Sequence, residues 1–457
     1  MTTATEPHRL WRNPRYLTWL VSDTSKGLAG ALFGFAIPLL ALIVTNDPAQ
    51  AGIIGGAGMV ARLLMTLAGG VLADRHRRIA LMLLGSLIGI VLAGGFTLLA
   101  LGDAMTFGSL LVIDVLLAAR SGLFDVAGES AIKEIVPDDA MGRAQAANQG
   151  RDAALQLAGG PLGGLLLGVG GWLVGAVMTL CHAIAALTAW MLGRQARRAG
   201  LVDTGAVDDN ADDPNEAPRV EGGRAVGGAD DLGSGAPTAP ATKPNAWAEL
   251  REGFRWLLSR PDLGGVLLIT TVINLGFNAA ITTAIYALQQ AGYSTLLIGT
   301  LSAAIGAVML VGAVFSPLLV PRIKAGVLTI AGLSVASVGV IVLSMVTSPW
   351  AIGIVLGASV LLVPALNAGM MGYFMVATPS HLLGRANSAA GVLGMGAMPL
   401  APLIAGFGLA WVGREWTLLL CAALCLASVA LAVSNRALRA LPVEAGWAAH
   451  AKQFESA

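Results

Sequence analysis

PDDAMGRAQAAN (137–148) and PSHLLGRANSAA (379–390) are the same phrase written twice. In each, a proline is followed five residues later by Gly-Arg-Ala, and an apolar segment of membrane-spanning length follows, 143–168 in one case and 385–411 in the other. Further along, Pro161-Leu162 and Pro402-Leu403 recur at nearly the same offset. Two matched elements, six apolar segments apart, imply a parallel repeat of two halves. The physical expectation is a substrate site between the halves near mid-membrane, reached alternately as they rock.

Working outward, the 457 residues are 56% hydrophobic and only 12% charged, about half the charge of a soluble domain. Mean hydropathy is +0.74. A span needs about 20 mostly apolar residues. Such segments fall near 17–45, 51–73, 79–101, 107–128, 143–168, 172–193, 263–289, 296–319, 326–346, 351–376, 385–411 and 416–435. The expectation is an all-α membrane protein with twelve transmembrane helices in two six-helix bundles. The first apolar segment reads as a retained span, since no short apolar core with a small-residue cleavage site precedes it. Outside the spans, Lys and Arg gather on one side and only Arg414 falls on the other. Retention of basic residues in the cytoplasm then places both termini inside the cell membrane. The basic residues form no continuous stripe, which argues against nucleic-acid binding. Cys181, Cys421 and Cys425 sit in apolar segments and read as packing residues, with no metal site.

The stretch 199–245 is rich in Gly, Ala, Pro and Asp. It cannot bury apolar area, so it reads as a disordered cytoplasmic linker. It divides an N-terminal bundle, 1–198, from a C-terminal part, 246–457. That part opens with Ala246 and then WAELREGFRWLLSRP (247–261), a short amphipathic helix. Its Trp247, Leu250, Phe254, Trp256 and Leu257 could face lipid with Arg251, Arg255 and Arg260 outward. A soluble lead-in to the seventh span is the alternative.

Between the second and third spans stands GVLADRHRR (70–78). It resembles the loop signature Gly-x-Leu-Ala-Asp-Arg-x-Gly-Arg-Arg of the major facilitator superfamily, and the resemblance covers almost the whole chain outside the linker. It implies the major facilitator fold and a gating loop that includes Gly70, with Asp74 latching the cytoplasmic end of a neighbouring helix or an arginine. Arg75 and Arg78 would join that network. Arg77 stands where the family prefers glycine. The equivalent loop of the second half, PLLVPRIK (317–324), lacks the Gly and the Asp. Gly159, Gly160, Pro161, Gly163 and Gly164 resemble the Gly-Pro-x-x-Gly-Gly antiporter motif of drug exporters, one residue short. Small residues let helices approach closely, and packing alone is the plainer reading. The repeated phrases and ELREGFRWLLSRPDL (249–263) resemble the twelve-span exporters of macrolides and siderophores.

Charged residues within spans are functional candidates, because an unpaired charge at the bilayer centre costs at least ~2.5–3.5 kcal/mol. They are concentrated in the first half: Asp23, Lys26, Arg62, Asp114, Arg120, Asp125, Arg151 and Asp152. At ~1.5 Å per residue, Arg62 lies roughly 18 Å and Asp114 roughly 20 Å above the cytoplasmic edge. The same reckoning puts Asp23 and Arg120 both at roughly 10–12 Å. Two pairs follow: Arg62–Asp114, with Asp114 as proton carrier, and Asp23–Arg120. Structural salt bridges are the alternative for both. Arg151–Asp152 reads as structural, and Asp125 and Glu129 as reaching water. The nearly uncharged second half suggests a wall for an apolar ligand. Its candidates are Asn274, Phe277 and Asn278 in span seven, and Asn367, Met370, Tyr373 and Phe374 in span ten. Ordinary helix packing would also account for them.

The functional expectation is a proton-coupled exporter of a hydrophobic or amphipathic small molecule, of drug, macrolide or siderophore class. It would act as a monomer, with no cofactor and with the proton gradient as its energy source. An importer or facilitator of a small nutrient is the alternative, and a non-transporting membrane sensor a more distant one. An enzyme is not expected: there is no nucleotide loop, metal cluster or nucleophile–base pair in the sequence.

Overall fold

The computed structural model describes residues 10–198, 246–379 and 382–454, and every regular element within them is helical. The expected linker, 199–245, and the side chains of Asp74, Asp138, Asp139, Pro261 and residues 246–250 lie outside the described part. The first half comprises α1 (Pro14–Thr45), α2 (Pro48–Arg75), α3 (Arg78–Leu101), α4 (Phe107–Ala131), α5 (Asp138–Val169) and α6 (Gly171–Arg198). The second opens with the surface helix α7 (Ala246–Ser259). It continues with α8 (Pro261–Gln290), α9 (Thr295–Leu319), α10 (Ala325–Met345), α11 (Pro349–Val360), α12 (Val363–Ala377), α13 (Leu383–Met395), α14 (Leu400–Trp411) and α15 (Gly413–Ser434). Two short helices close the chain, α16 (Arg436–Ala440) and α17 (Trp447–Lys452).

Among the described residues, eleven helices or broken helix pairs are long and apolar enough to cross a membrane. The twelfth is α4, whose 25 residues pack along α2 and α3 despite four charged side chains. The chain is thus a multi-pass membrane protein of two six-helix bundles. Its outer faces carry large apolar side chains that are mostly exposed, such as Val91, Leu98 and Ile354. Such stripes are stable against lipid tails and not against water.

Local chemistry sets the helix ends. Asn13 accepts hydrogen bonds from the backbone N–H groups of Arg15 and Tyr16 at the start of α1, with Pro14 in the first position. Asn46 ends that helix in the left-handed region at φ 51°, and Asp47 immediately caps α2. Thr106 and Ser109 form a reciprocal capping box on α4. Each device satisfies backbone donors that a helix end leaves open.

Two of the expected spans are interrupted, and one expectation needs correction. Span ten is not continuous: it breaks between α11 and α12, where Pro364 has no N–H to give the Val360 carbonyl. Span eleven breaks likewise between α13 and α14, where Pro399 cannot bond back to Met395. The corrected expectation concerns α7, whose described apolar residues Phe254, Trp256 and Leu257 pack against protein. Leu257 is buried, Phe254 and Trp256 pack beside it, and Glu252 accepts a 2.7 Å bond from Arg385 on α13. Arg260, expected to point outward, is buried and bonded twice to Asp262 at 2.8 Å. Trp247 and Leu250 belong to the undescribed side chains.

Candidate functional site

The two halves meet at one end of the molecule, the end away from the linker. There α2 packs on α14, and α5 on α9. The reason is absence of side chains. A β-carbon on Gly160 would lie 2.7 Å from the Gly299 carbonyl oxygen and 3.2 Å from Ser302 Cβ. Thr295 donates its hydroxyl to the Gly164 carbonyl at 2.8 Å. Gly55 and Gly56 face Pro402, Leu403 and the Pro399 carbonyl, and Gly52 lies on Gly406. These approaches form a far gate of backbone on backbone.

The glycine motif of α5 is two-sided. Gly160 and Gly164 face α9 across the halves, whereas Gly159 and Gly163 face Ala31 and Phe35 of α1 within the first half. Alternate members of one motif therefore hold the bundle together and close the gate. The partners Thr295, Gly299, Gly52 and Gly406 were not singled out in the sequence. Their signal is small residues four apart on one helix face, as in Thr295–Gly299 and Gly52–Gly56.

On the linker side the first half holds a cavity of about 940 Å³. Its described lining belongs to the first half. It runs from Glu129, Lys133 and Gln145 at the mouth to Pro38, Gly55, Gly58 and Asp114 at the floor. Asp114 is 5% exposed, and its Oδ2 atom is buried without a hydrogen-bond partner. Gly58 on α2 leaves the space this carboxylate occupies. Arg62 lines the same cavity, yet no ion pair joins it to Asp114 among the described residues.

The other expected pair is replaced. Asp23 binds Lys26 at 3.1 Å and Arg151 at 2.8 Å, so it ties α1 to α5. Arg120 instead lies 3.8 Å from Asp125 and donates to the Gly85 carbonyl at 3.3 Å. Depth matched Asp23 with Arg120, but rotation about the helix axes turns them to different neighbours. Asp125, expected to reach water, accepts a 2.5 Å bond from Ser121. Arg151 holds Asp152 at 2.8 Å as well as Asp23, and Glu129 is exposed. His182 on α6 went unnoticed in the sequence. It is 1% exposed, lines the cavity and packs against Gly89, with Nδ1 lacking a partner.

Several second-half candidates serve the scaffold. Tyr373 is fully buried and donates to Asp262 at 2.5 Å, with its ring against Trp447. Asp262 thus joins α8, Arg260 and α12 at the linker side. Phe374 and Met370 pack in the same apolar cluster. Asn274 donates to the Gly394 carbonyl of α13 at 3.1 Å, Asn278 to the Asn274 carbonyl at 2.8 Å, and Phe277 packs on the core. Asn367 is exposed. None of these seven lines the described cavity.

In the gating loop, Arg78 bonds Glu134 at 2.7 Å, within the first half. Arg75 is exposed, and Asp74 has an undescribed side chain. Gly70 faces open space; it is Gly69 that meets backbone, at Gly122 and Leu123. This loop joins α2 to α3 on the linker side.

Comparison with known proteins bears on this architecture. A profile described as Major Facilitator Superfamily matches residues 24–402. The enterobactin exporter EntS of Salmonella choleraesuis (strain SC-B67) is 26% identical over 426 residues, covering 87% of this chain and 89% of that protein. The enterobactin exporter EntS of Citrobacter koseri is 27% identical over 434 residues, covering 89% and 90%. The fold is similar to the crystal structure of a bacterial homologue of the iron transporter ferroportin in the inward-facing state, with TM-score 0.67 and 13% identity over 91% of this chain and 97% of that one. It is also similar to the nucleoside transporter NupG, with TM-score 0.62 and 9% identity over 92% and 100%.

Proposed function

The chain belongs to the Major Facilitator Superfamily, and on that premise we propose that it is a proton-coupled exporter working by alternating access. The observation that carries this reading is the arrangement of the cavity. It opens on the linker side, is closed by a glycine gate at the far end, and has Asp114 on its floor with one carboxylate oxygen unpartnered. Retention of basic residues supports a cytoplasmic linker side and a cytoplasmic membrane location. The cavity in this conformation then faces the cytoplasm, where an exporter collects its cargo.

The cargo is a hydrophobic or amphipathic small molecule of drug, macrolide or siderophore class. A cavity of this volume suits a drug-sized molecule. Relatives named as enterobactin exporters support the export direction and a siderophore-like cargo. The protein works as a monomer, since one chain supplies both halves of the gate. Cargo enters from the cytoplasm, and Asp114 releases its proton to the same side. The halves rock, the far gate opens and cargo leaves. A proton from outside rebinds Asp114 and restores the resting arrangement. The glycine contacts make rocking feasible, because they depend on close approach and break without extracting interlocked side chains.

The test uses cells expressing the protein and a panel of labelled siderophores and macrolides. Collapse of the proton gradient with a protonophore should raise accumulation of the true cargo to the level of cells lacking the protein. Unchanged accumulation at normal expression refutes proton coupling.

A further inference from the structure

Five glycines line the described cavity: Gly27, Gly30, Gly34, Gly55 and Gly58. A close neighbour accounts for three of them. A β-carbon on Gly27 would lie 2.6 Å from Leu155 of α5, one on Gly55 would lie 3.2 Å from Pro402 of α14, and one on Gly58 would collide with the Asp114 carboxylate. Gly30 and Gly34 of α1 are different. Both are exposed, and a β-carbon on either would meet no atom within 4 Å. Glycine inside a helix weakens that helix relative to alanine. Close packing offsets the loss at the other three cavity glycines, but no described residue offsets it at Gly30 or Gly34.

The two stand four residues apart, so they share a helix face and leave a strip of bare backbone about 6 Å long. Phe33 and Ile37 flank the strip on α1 and also line the cavity. Met59 of α2 lines it too and is exposed. Counted from the far ends of their helices, Gly34 lies eleven residues inside α1 and Met59 eleven residues inside α2, which sets them at one depth. Asp114 lies seven residues inside α4, about 6 Å nearer the gate. An independent observation points to a ligand here. Asp114 lines the same cavity, is 5% exposed, and keeps Oδ2 buried without a partner. Bare peptide, apolar flanks and one open hydrogen-bond acceptor thus converge on the inner part of the cavity.

We propose that the Gly30–Gly34 face of α1 is a cargo-recognition slot, which takes a flat aromatic ring against bare backbone and leads an O–H or N–H group on that ring toward Asp114. The inference rests on the transport reading above and narrows its cargo to molecules that carry such a ring. A flat ring lies at contact distance from the peptide groups over its whole area, whereas a saturated ring is held off by its axial hydrogens. Phe33 offers an aromatic neighbour, and Met59 a polarizable sulfur that suits a ring edge. A donor on the ring gives the buried Asp114 oxygen the partner it lacks. The ion pairs of Asp23 with Lys26 and Arg151 lie nearer the mouth and are satisfied among themselves, so they leave the choice of ring to the slot.

The experiment uses purified protein in detergent and three probes of one skeleton: 2-naphthol, flat with a donor; naphthalene, flat without one; and decahydro-2-naphthol, a donor on a saturated frame. Saturable binding is read above a detergent blank. The wild type should bind 2-naphthol about 2- to 10-fold more tightly than either of the others, the worth of one hydrogen bond or of the lost flat contact. Asp114→Ala should bring 2-naphthol down to the affinity of naphthalene. Gly30→Ala and Gly34→Ala should raise the melting temperature by about 1–3 °C, because each strengthens α1 and strikes nothing, yet weaken 2-naphthol binding. Gly34→Leu should fill the slot and weaken it about tenfold or more. Wild-type affinity in Gly34→Leu, or equal affinity for 2-naphthol and its saturated analogue, overturns the slot. So does a lower melting temperature in the alanine variants, which would make the two glycines packing positions. Neither readout involves a proton gradient. Loss of the slot therefore leaves proton coupling standing, and a null protonophore result leaves the slot standing.

Discussion

Replacing Gly160 with alanine should open the far gate. The added β-carbon stands 2.7 Å from the Gly299 carbonyl oxygen, and Ser302 Cβ lies 3.2 Å away. Ordinary contact begins near 3.4 Å, so α5 and α9 must part by about 0.7 Å, and the obstructing atom is backbone that cannot rotate aside. Overpacking of this kind costs about 1–3 kcal/mol. The penalty exists only while α5 and α9 touch; with the gate open, the methyl group meets no α9 backbone. The whole of it therefore falls on the closed conformation, and the ratio of closed to open should drop by about 5- to 150-fold. Spin labels at Ala104→Cys and Tyr293→Cys, exposed in far-side loops of opposite halves, read that ratio directly in a background without Cys181, Cys421 and Cys425. Gly159→Ala supplies the control, since its β-carbon would meet Ala31 Cβ at 2.9 Å within the first half. It should lower stability in both conformations and leave the ratio unchanged. A Gly160→Ala distribution matching wild type, or a Gly159→Ala shift as large as the Gly160→Ala shift, would refute the assignment of the gate to alternate faces of this motif.

Asp23→Asn should lower the melting temperature, because Lys26 loses its charged partner and Arg151 keeps only Asp152. The loss should fall below the ~3–5 kcal/mol of a fully buried pair, since the cavity admits water, and an unchanged melting curve would show the triad to be inert. Tyr373→Phe should destabilise by about 1.5–3 kcal/mol, the value of a hydrogen bond to a charged group, while cargo affinity holds. A loss of affinity without a loss of stability would return Tyr373 to the cavity wall. Arg414→Ala should speed backbone hydrogen exchange at the end of α10, because the Arg414 guanidinium bonds the carbonyls of Leu343 and Val346 at 2.8 and 2.5 Å. Exchange at the wild-type rate would show that the cap contributes nothing.

That last residue illustrates what the sequence reveals and what it withholds. Hydropathy and the repeated Gly-Arg-Ala phrase disclose the two bundles, because burial in lipid writes itself into composition over ~20 residues. Arg414 stood out as the sole basic residue on the far side, but its reason, capping another helix, depends on a neighbour 68–71 positions away. Partner choice among the buried charges was illegible for the same cause. Depth along a helix follows from counting residues, whereas the direction a side chain faces follows from helix rotation and packing. Asp23 therefore pairs with Arg151 across α1 and α5, at a position the count did not suggest. The α5 glycines were legible as a close-packing motif, yet their division between two neighbours required the second helix to be present. Tyr373 looked like a cavity aromatic because its one decisive partner, Asp262, lies 111 residues away.

The most direct test of the account is a vesicle experiment with purified protein and an identified cargo. Proteoliposomes with an acidic lumen reproduce the proton gradient seen by molecules whose linker side faces out. Cargo supplied outside should accumulate in the lumen, protons should leave in proportion, and Asp114→Asn should bind cargo yet neither concentrate it nor move protons. Cargo accumulation that proceeds equally without a gradient, or an Asp114→Asn variant with wild-type proton exchange, would contradict it.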